Sequence, residues 1–261
     1  MSKVYFKSAE DIEQLRKSAT VLSQLLGEIA KEIRPGVTTL SLDKLAYDYI
    51  HDQGGRPAFL NYNGFPNSLC ISVNDQVVHG IPSNYELRDG DIVSVDGGVE
   101  LNGYISDSAY TFAVGEVQPE VRQLLRVTLE SLDLGIAQAV SGKRVGDIAH
   151  AVQEHVTRYG YGIVRELVGH GVGYKLHEKP EVPNYGKRGT GTKLETGLVI
   201  CIEPMINMGK AGVKFWDDGW TVSTVDGKPS AHYEHMVAIR KGTPDVLTTF
   251  AYIEEVLDKK N

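Results

Sequence analysis

Cysteine is scarce: the 261 residues include only Cys70 and Cys201, and no Cys-x-x-Cys pair occurs. That excludes a disulfide scaffold and a zinc ribbon, and it suits a reducing compartment. No run approaches the roughly 18 uncharged apolar residues of a membrane-spanning helix. A signal peptide is lacking as well, because Lys3, Lys7, Glu10, Asp11 and Glu13 stud the first twenty residues where an apolar block would sit. The sequence therefore predicts a cytoplasmic protein with no membrane partner. Net positive charge is also missing. The 27 basic and 34 acidic residues leave −7, so attraction to nucleic acid or anionic lipid is not expected. Linkers rich in Pro or Ser, low-complexity tracts and long charge blocks are absent too, and composition marks no domain boundary.

What is present is the composition of a folded protein. Hydrophobic residues make up 41% and charged residues 23%, far from the balance at which chains stay disordered. At about 150 residues per domain, the length admits two small domains or one large one. Ile12, Leu15, Ala19, Leu22, Leu26, Ile29 and Ile33 recur at steps of three or four and predict a helix ended by Pro35-Gly36. A second helix is predicted from Leu42 to His51, closing at Gly54-Gly55. Strand-like runs follow at Leu69–Val73, Ile92–Val95 and Ile105–Val114, the last two joined through Asn102-Gly103, a strong hairpin dipeptide. The order then recurs, with helices predicted over Pro119–Val140 and Asp147–Tyr159 and strands over Leu198–Ile202, Trp220–Val225 and His232–Ile239. The densest charge stretch, Lys175 to Arg188, is broken by Pro180, Pro183 and Gly186 and reads as a solvated loop.

The recurrence is in register. Leu87, Gly90, Ile92, Val93, Val95 and Asp96 match Leu194, Gly197, Val199, Ile200, Ile202 and Glu203 at a constant offset of 107. Ile29, Ala30 and Ile33 match Ile136, Ala137 and Val140 at the same offset. Chance alignment of amphipathic helices and Gly-flanked strands is the plainer explanation, but two helices and a strand in one register favour two similar halves, each helix, helix, sheet.

Each matched strand ends in a carboxylate, Asp96 in one half and Glu203 in the other. If the hairpin turns between Leu101 and Asn102, Asp107 lies directly opposite Asp96. If it turns at Asn102-Gly103, Asp96 faces Ala109 and Asp107 is the diagonal neighbour; either register leaves both acids on one face. A turn near Asp226-Gly227 would likewise set Glu234 across from Trp220 and Thr221. Taken singly, each acid has an ordinary use: Asp96 before Gly-Gly as a turn-maker, Asp107 as an acceptor for backbone amides, Glu203 before Pro204 as a strand end, Glu234 on a solvated edge. Together, four carboxylates on apolar strands require compensation, because buried carboxylates would otherwise take up protons. Two divalent cations would balance them. Hard oxygen ligands with one imidazole suit manganese, iron(II), cobalt or zinc.

Histidine candidates follow. His170 lies in Gly169-His170-Gly171-Val172-Gly173, whose glycines allow the backbone close approach. His79 and His177 could serve as hydrogen-bond donors near such a centre or as ordinary polar residues. His235 points away from Glu234 if that segment is a strand, and His232, though on the Glu234 face, is assigned to the surface. The glycine run lacks the lysine and following helix of a phosphate loop, no Gly-x-Ser-x-Gly elbow occurs, and His177-Glu178 has no second zincin histidine.

The order Asp96, Asp107, His170, Glu203, Glu234 resembles the five-ligand set of the pita-bread metallopeptidases, and the wider match is to the type I methionine aminopeptidases. The resemblance is carried by Asn67-Ser68-Leu69-Cys70-Ile71-Ser72-Val73-Asn74, His79-Gly80-Ile81-Pro82, Asp89 through Asp96, Gly169 through Gly173, Ile202-Glu203-Pro204 and Tyr233-Glu234-His235. It spans essentially the whole chain. It implies an α+β pita-bread fold, with a pseudo-twofold repeat of helix-helix-sheet halves (roughly 8–114 and 118–240) around a curved, mainly antiparallel sheet, in one domain over 1–261.

The same resemblance implies that Asp96, Asp107, His170, Glu203 and Glu234 hold two divalent cations, and that metal-activated water attacks the first peptide bond. Glu203 would shuttle the proton to the leaving nitrogen, His177 would donate to the oxyanion, and His79 to the scissile amide. Tyr62, Phe65, Cys70 and Trp220 match positions lining a methionine pocket; Phe59 and Phe65 stand where relatives often carry a smaller residue and a tyrosine. The implied substrates are nascent polypeptide N-termini with a small second residue, met near the ribosome by a monomer. Prolidases share the ligands but place a further domain ahead of them, and only 95 residues precede Asp96. The 30 residues between Glu203 and Glu234 leave little room for the helical insertion of type II methionine aminopeptidases. A non-catalytic pita-bread protein would be expected to have lost ligands, and none is missing.

Overall fold

The computed structural model describes residues 4–260; residues 1–3 and 261, included in the expected domain span, lie outside it. Helix α1 spans Ala9–Glu32. Ser8 caps it: its hydroxyl accepts from the Asp11 amide at 3.1 Å, and the Asp11 carboxylate accepts from the Ser8 amide at 2.8 Å, satisfying two otherwise orphaned donors. Its apolar stripe, from Ile12 to Ile29, is wholly buried. Helix α2 follows at Thr39–Asp52. In the second half, α3 spans Pro119–Ile136, with Pro119 opening it, and α4 spans Val145–Thr157. Helix α5, Ala251–Lys260, lies against α1. Helix α3 ends four residues before the expected Val140. Gln138 and Ala139 close tight three-residue turns onto Gly135 and Ile136, so Ala139 stays buried without a continued helix.

The strand Ile92–Leu101 is the centre of the first half. Along one edge it pairs with Leu69–Val73 and then Arg56–Pro57; along the other it pairs with Tyr104–Ala113 over its full length. The hairpin takes the second of the two registers, with Asp96 opposite Ala109 and Gly98 opposite Asp107. In the second half Val199–Ile202 takes the matching central place. It pairs with His235–Ala238 and Gly169–Gly171 in a five-stranded antiparallel sheet that Asp245–Val246 and Glu178–Val182 complete.

Three sequence expectations fail here. Lys175–Arg188 is not simply a solvated loop: Leu176 is buried, Glu178–Val182 is a strand, and Glu178, Pro180 and Val182 face inward. The hairpin across Asp226-Gly227 does not form, because its arms diverge. Val222–Thr224 pairs with Gln76–Val78 and Val213–Phe215, while Ser230–His232 pairs with Met205–Asn207. The predicted strand His232–Ile239 is split at Tyr233-Glu234, opposite the break that Pro204, lacking an N–H, makes after Glu203. Ile202↔His235 and Met205↔His232 share one register, which sets Glu203 and Glu234 opposite each other at the break.

The halves meet where Tyr104–Ala113 docks against the chain at His232–Glu234. Glu234 N donates to Ala109 O at 2.9 Å, Ser108 Oγ donates to Glu234 O at 2.8 Å, and Thr111 Oγ1 binds both the amide and the carbonyl of His232. One apolar core runs through both halves, from Leu22, Leu26 and Val95 to Leu132, Val152 and Ile200. Among the described residues, no helix is long and apolar enough to cross a membrane.

Candidate active site

The seam opens into a cavity of about 540 Å³ that all five predicted metal-holding residues line. Asp96 and Asp107 reach it from the first-half hairpin, Glu203 and Glu234 from opposite sides of the strand break, and His170 from the short strand between two glycines. Those glycines are required by neighbouring strands rather than by a ligand: a Cβ at Gly169 would lie 2.4 Å from Cys201 O, and one at Gly171 would lie 2.5 Å from Lys179 O. They let His170 sit deep between two chains.

The electrostatics are those of an uncompensated acidic centre. Burial pushes the Asp96 carboxyl up to about 7. Asp107 is pushed well above the usual carboxylate range by burial and then by Glu234 and Asp96; Glu203 by burial and then by Asp107 and Asp96; and Glu234 by burial and then by Glu203 and Asp96. Asp96 Oδ1, Asp107 Oδ1 and Glu234 Oε1 are buried with no hydrogen-bond partner among the described residues. His170 Nδ1 lies 3.0 Å from Gly171 O and can only donate to it, so Nε2 carries the lone pair. That nitrogen points at the acids, 3.7 Å from Asp107 Oδ2 and 3.5 Å from Glu203 Oε1. Burial lowers the imidazole to about 3 and keeps it neutral. Buried oxygens without partners and a free imidazole lone pair are what a divalent cation requires. Ligand atoms of Asp107, His170, Glu234 and Cys201 lie within 4.8 Å of one another. Burial, reinforced by Glu234, raises the Cys201 thiol well above its ordinary value and keeps it protonated.

The other predicted residues surround this centre. His177 Nδ1 meets Tyr62 Oη at 2.8 Å, and the His177 ring stands edge-on to His170 with centroids 4.2 Å apart. His79 sits at a positive φ of 58°, uncommon outside glycine, and burial lowers its imidazole to about 4. Phe65 and Trp220 pack edge to face at 5.1 Å, and Cys70 pairs with Asp96 in register, which directs its thiol to the same face. Phe59 and Leu176 complete this apolar recess; Leu176 was hidden in the stretch read as solvated loop.

His232 departs from its surface assignment. It is 1% exposed, its Nε2 lies 3.7 Å from Glu203 Oε2, and both ring nitrogens lack hydrogen-bond partners among the described residues. The strand alternation had placed it on the Glu234 face, the one signal that pointed inward. His235 does turn away, bonding Thr248 Oγ1 at 2.7 Å and stacking on Phe250.

The model of metallopeptidase family M24 matches residues 13–241. A methionine aminopeptidase of Clostridium perfringens is 50% identical over 245 residues, covering 94% of this chain and 98% of that one. The chain belongs to the methionine aminopeptidase family of M24 metallopeptidases. Methionine aminopeptidase 1 of Bacillus subtilis is 46% identical, over 93% of this chain and 98% of its own. The crystal structure of a methionine aminopeptidase from Thermotoga maritima superposes with a TM-score of 0.93 at 40% identity, over 95% of this chain and all of that one. A Xaa-Pro dipeptidase from Bacillus anthracis shares the fold at a TM-score of 0.76 and 22% identity, but this chain covers only 62% of it. The architecture is thus the α+β pita-bread fold, and membership makes the chain a methionyl aminopeptidase, a hydrolase dependent on divalent metal.

Proposed function

We propose that this methionine aminopeptidase removes the first residue of nascent proteins whose second residue is small, using two divalent cations held by Asp96, Asp107, His170, Glu203 and Glu234. The observation that carries this reading is the set of buried, partnerless carboxylate oxygens around a neutral imidazole. Four carboxylates carry four negative charges, which two divalent cations balance, and manganese, iron(II), cobalt and zinc all suit the donor set. When bound, the cations would offset the acidic charge and supply water ionised near neutral pH.

The remaining work falls to the chain. Glu203 takes up a proton and delivers it to the leaving amide nitrogen, a role that its place at the strand break, facing the cavity, favours. Tyr62 Oη donates to His177 Nδ1, which leaves the proton on Nε2 and presents it as a donor to the developing oxyanion. His79, on its constrained backbone beside Trp220, holds the scissile amide. Tyr62, Phe65, Cys70 and Trp220, with Phe59 and Leu176, enclose the methionine side chain. Donors from both halves support one domain, and one chain carries the full set, so a monomer suffices. Two free, buried cysteines suit the cytoplasm, where nascent chains emerge from the ribosome.

The test is side-by-side assay of the manganese-reconstituted protein on Met-Ala, Met-Leu and Xaa-Pro peptides. Met-Ala should be cleaved at least tenfold faster than either; a preference for Xaa-Pro, or no turnover of Met-Ala with any of the four metals, would overturn the reading.

A further inference from the structure

Glu203 and Glu234 fall between the paired strands, where the ladder that fixes their neighbours is interrupted. Backbone groups at such a break need partners from elsewhere. Glu234 donates through its amide to Ala109 O at 2.9 Å and accepts at its carbonyl from Ser108 Oγ at 2.8 Å, both on the first-half hairpin. The Glu203 carbonyl is held from the other side of the site, by Asn184 Nδ2 at 3.0 Å.

Asn184 belongs to the stretch that reads in the sequence as a solvated loop, and it stands outside the residues that line the cavity. It is nonetheless 1% exposed, and its Oδ1 has no hydrogen-bond partner among the described residues. Its orientation is fixed by chemistry, since only the NH2 group can face a carbonyl. A buried amide that uses its donor and strands its acceptor adds little to stability, because the unpaired oxygen keeps its desolvation cost. The segment that carries it is well anchored. Strand Glu178–Val182 precedes it, Gly186 N donates to Gln153 Oε1 of α4 at 2.8 Å, and the Arg165 guanidinium lies over the Tyr185 ring at 5.0 Å. The asparagine therefore presents its donor to Glu203 from a rigid support.

We infer that Asn184 is a positioning residue for the metal centre: by holding the Glu203 main chain at the strand break, it sets where the Glu203 carboxylate stands opposite Glu234. Cation affinity and the proton transfer assigned to Glu203 then both depend on a side chain that touches neither metal nor substrate. The inference rests on the proposed function. Losing a group that orients a metal ligand typically costs about 10- to 100-fold in affinity or activity. The lower end applies here, because Asn184 holds the ligand's main chain and not the carboxylate itself. The unloaded fold should be little affected, since a leucine at 184 leaves the Glu203 carbonyl unpaired but also removes the stranded Oδ1.

The experiment titrates manganese by calorimetry into chelator-stripped wild type, Asn184→Leu, Asn184→Ala and Asn184→His, and measures kcat and KM on Met-Ala-Met at saturating manganese. Asn184→Leu and Asn184→Ala remove the donor, whereas Asn184→His keeps a ring N–H within reach of the carbonyl. The first two should bind manganese about tenfold more weakly and lose about tenfold in kcat with KM held within about twofold, and Asn184→His should stay within about threefold of wild type in both affinity and kcat. Wild-type affinity in whichever of Asn184→Leu and Asn184→Ala folds overturns the inference. So does a tenfold loss in Asn184→His, which would show that packing and not the donor matters. Failure of the wild type to bind manganese or to cleave Met-Ala-Met would instead count against the proposed function itself.

Discussion

Removing the ammonium of Lys7 should cost this protein more stability than almost any other single charge change. The Lys7 and Glu178 side chains are paired with no solvent exposure. Glu178 Oε1 also accepts from the amides of Tyr174 and Lys175 at 2.8 and 3.1 Å, and the Lys7 ammonium lies over the Tyr174 ring at 5.3 Å. Lys7 N donates to Gly197 O at 2.7 Å, so the pair ties the segment before α1 to the second half. Lys7→Met keeps most of the side-chain volume but strands a buried carboxylate, a change that costs about 3 to 5 kcal/mol. At roughly 2 to 4 °C per kcal/mol for a chain of this size, Tm should fall by about 10 °C. Scanning calorimetry of the wild type, Lys7→Met and Lys7→Met/Glu178→Gln measures it directly. The carboxamide still accepts from both amides without a stranded charge, so the double variant should recover a large part of the loss. A Tm for Lys7→Met within about 3 °C of wild type would show that water or a counter-ion reaches Glu178, and the argument from burial would fall.

Glu203→Gln should keep its fold by circular dichroism while kcat on Met-Ala-Met drops at least about a hundredfold, since the carboxamide cannot carry the proton; wild-type turnover would remove that role. His177→Ala should lower kcat by about a hundredfold, corresponding to the roughly 3 kcal/mol of one oxyanion donor, and a change confined to KM would refute the assignment. Metal affinity should rise with pH. Burial raises Asp96 to about 7 and the neighbouring acids well above the ordinary carboxylate range, so below about pH 7 a cation must displace protons, and the unloaded protein loses stability as pH rises from the ordinary carboxylate range towards 7. The Tm gap between manganese-loaded and chelator-stripped protein should therefore widen from pH 5.5 to 7.5, and a constant gap would contradict the shifts.

The acids were legible in the sequence because hairpin geometry and strand alternation act over a few residues. Asp96 and Asp107 share a face in either register, so leaving the turn open by one step did no harm. Glu203 and Glu234 were harder, because their pairing depends on the break at Pro204 and on strands of the second half that are distant in sequence; the turn at Asp226-Gly227 suggested a local hairpin that long-range pairing with Gln76–Val78 displaced. Lys175–Arg188 misled because charge was read as exposure, yet the Glu178 carboxylate is neutralised from Lys7, distant in sequence. His232 was misassigned for a related reason: nothing local reveals that a neighbouring strand closes over it.

Gly98 sits across the hairpin from Asp107, and a Cβ there would lie 2.9 Å from the Phe59 ring and 3.0 Å from the Ala58 Cβ. Phenylalanine at 59 is tolerated because its neighbour has no side chain, so the two sites are epistatic. An alanine at 98 would be rejected in this background, and trimming 59 would relieve the closer of its two contacts while leaving the Ala58 Cβ at 3.0 Å, so the floor of the recess around Phe65 and Cys70 is remodelled most readily by changing 59 before 98.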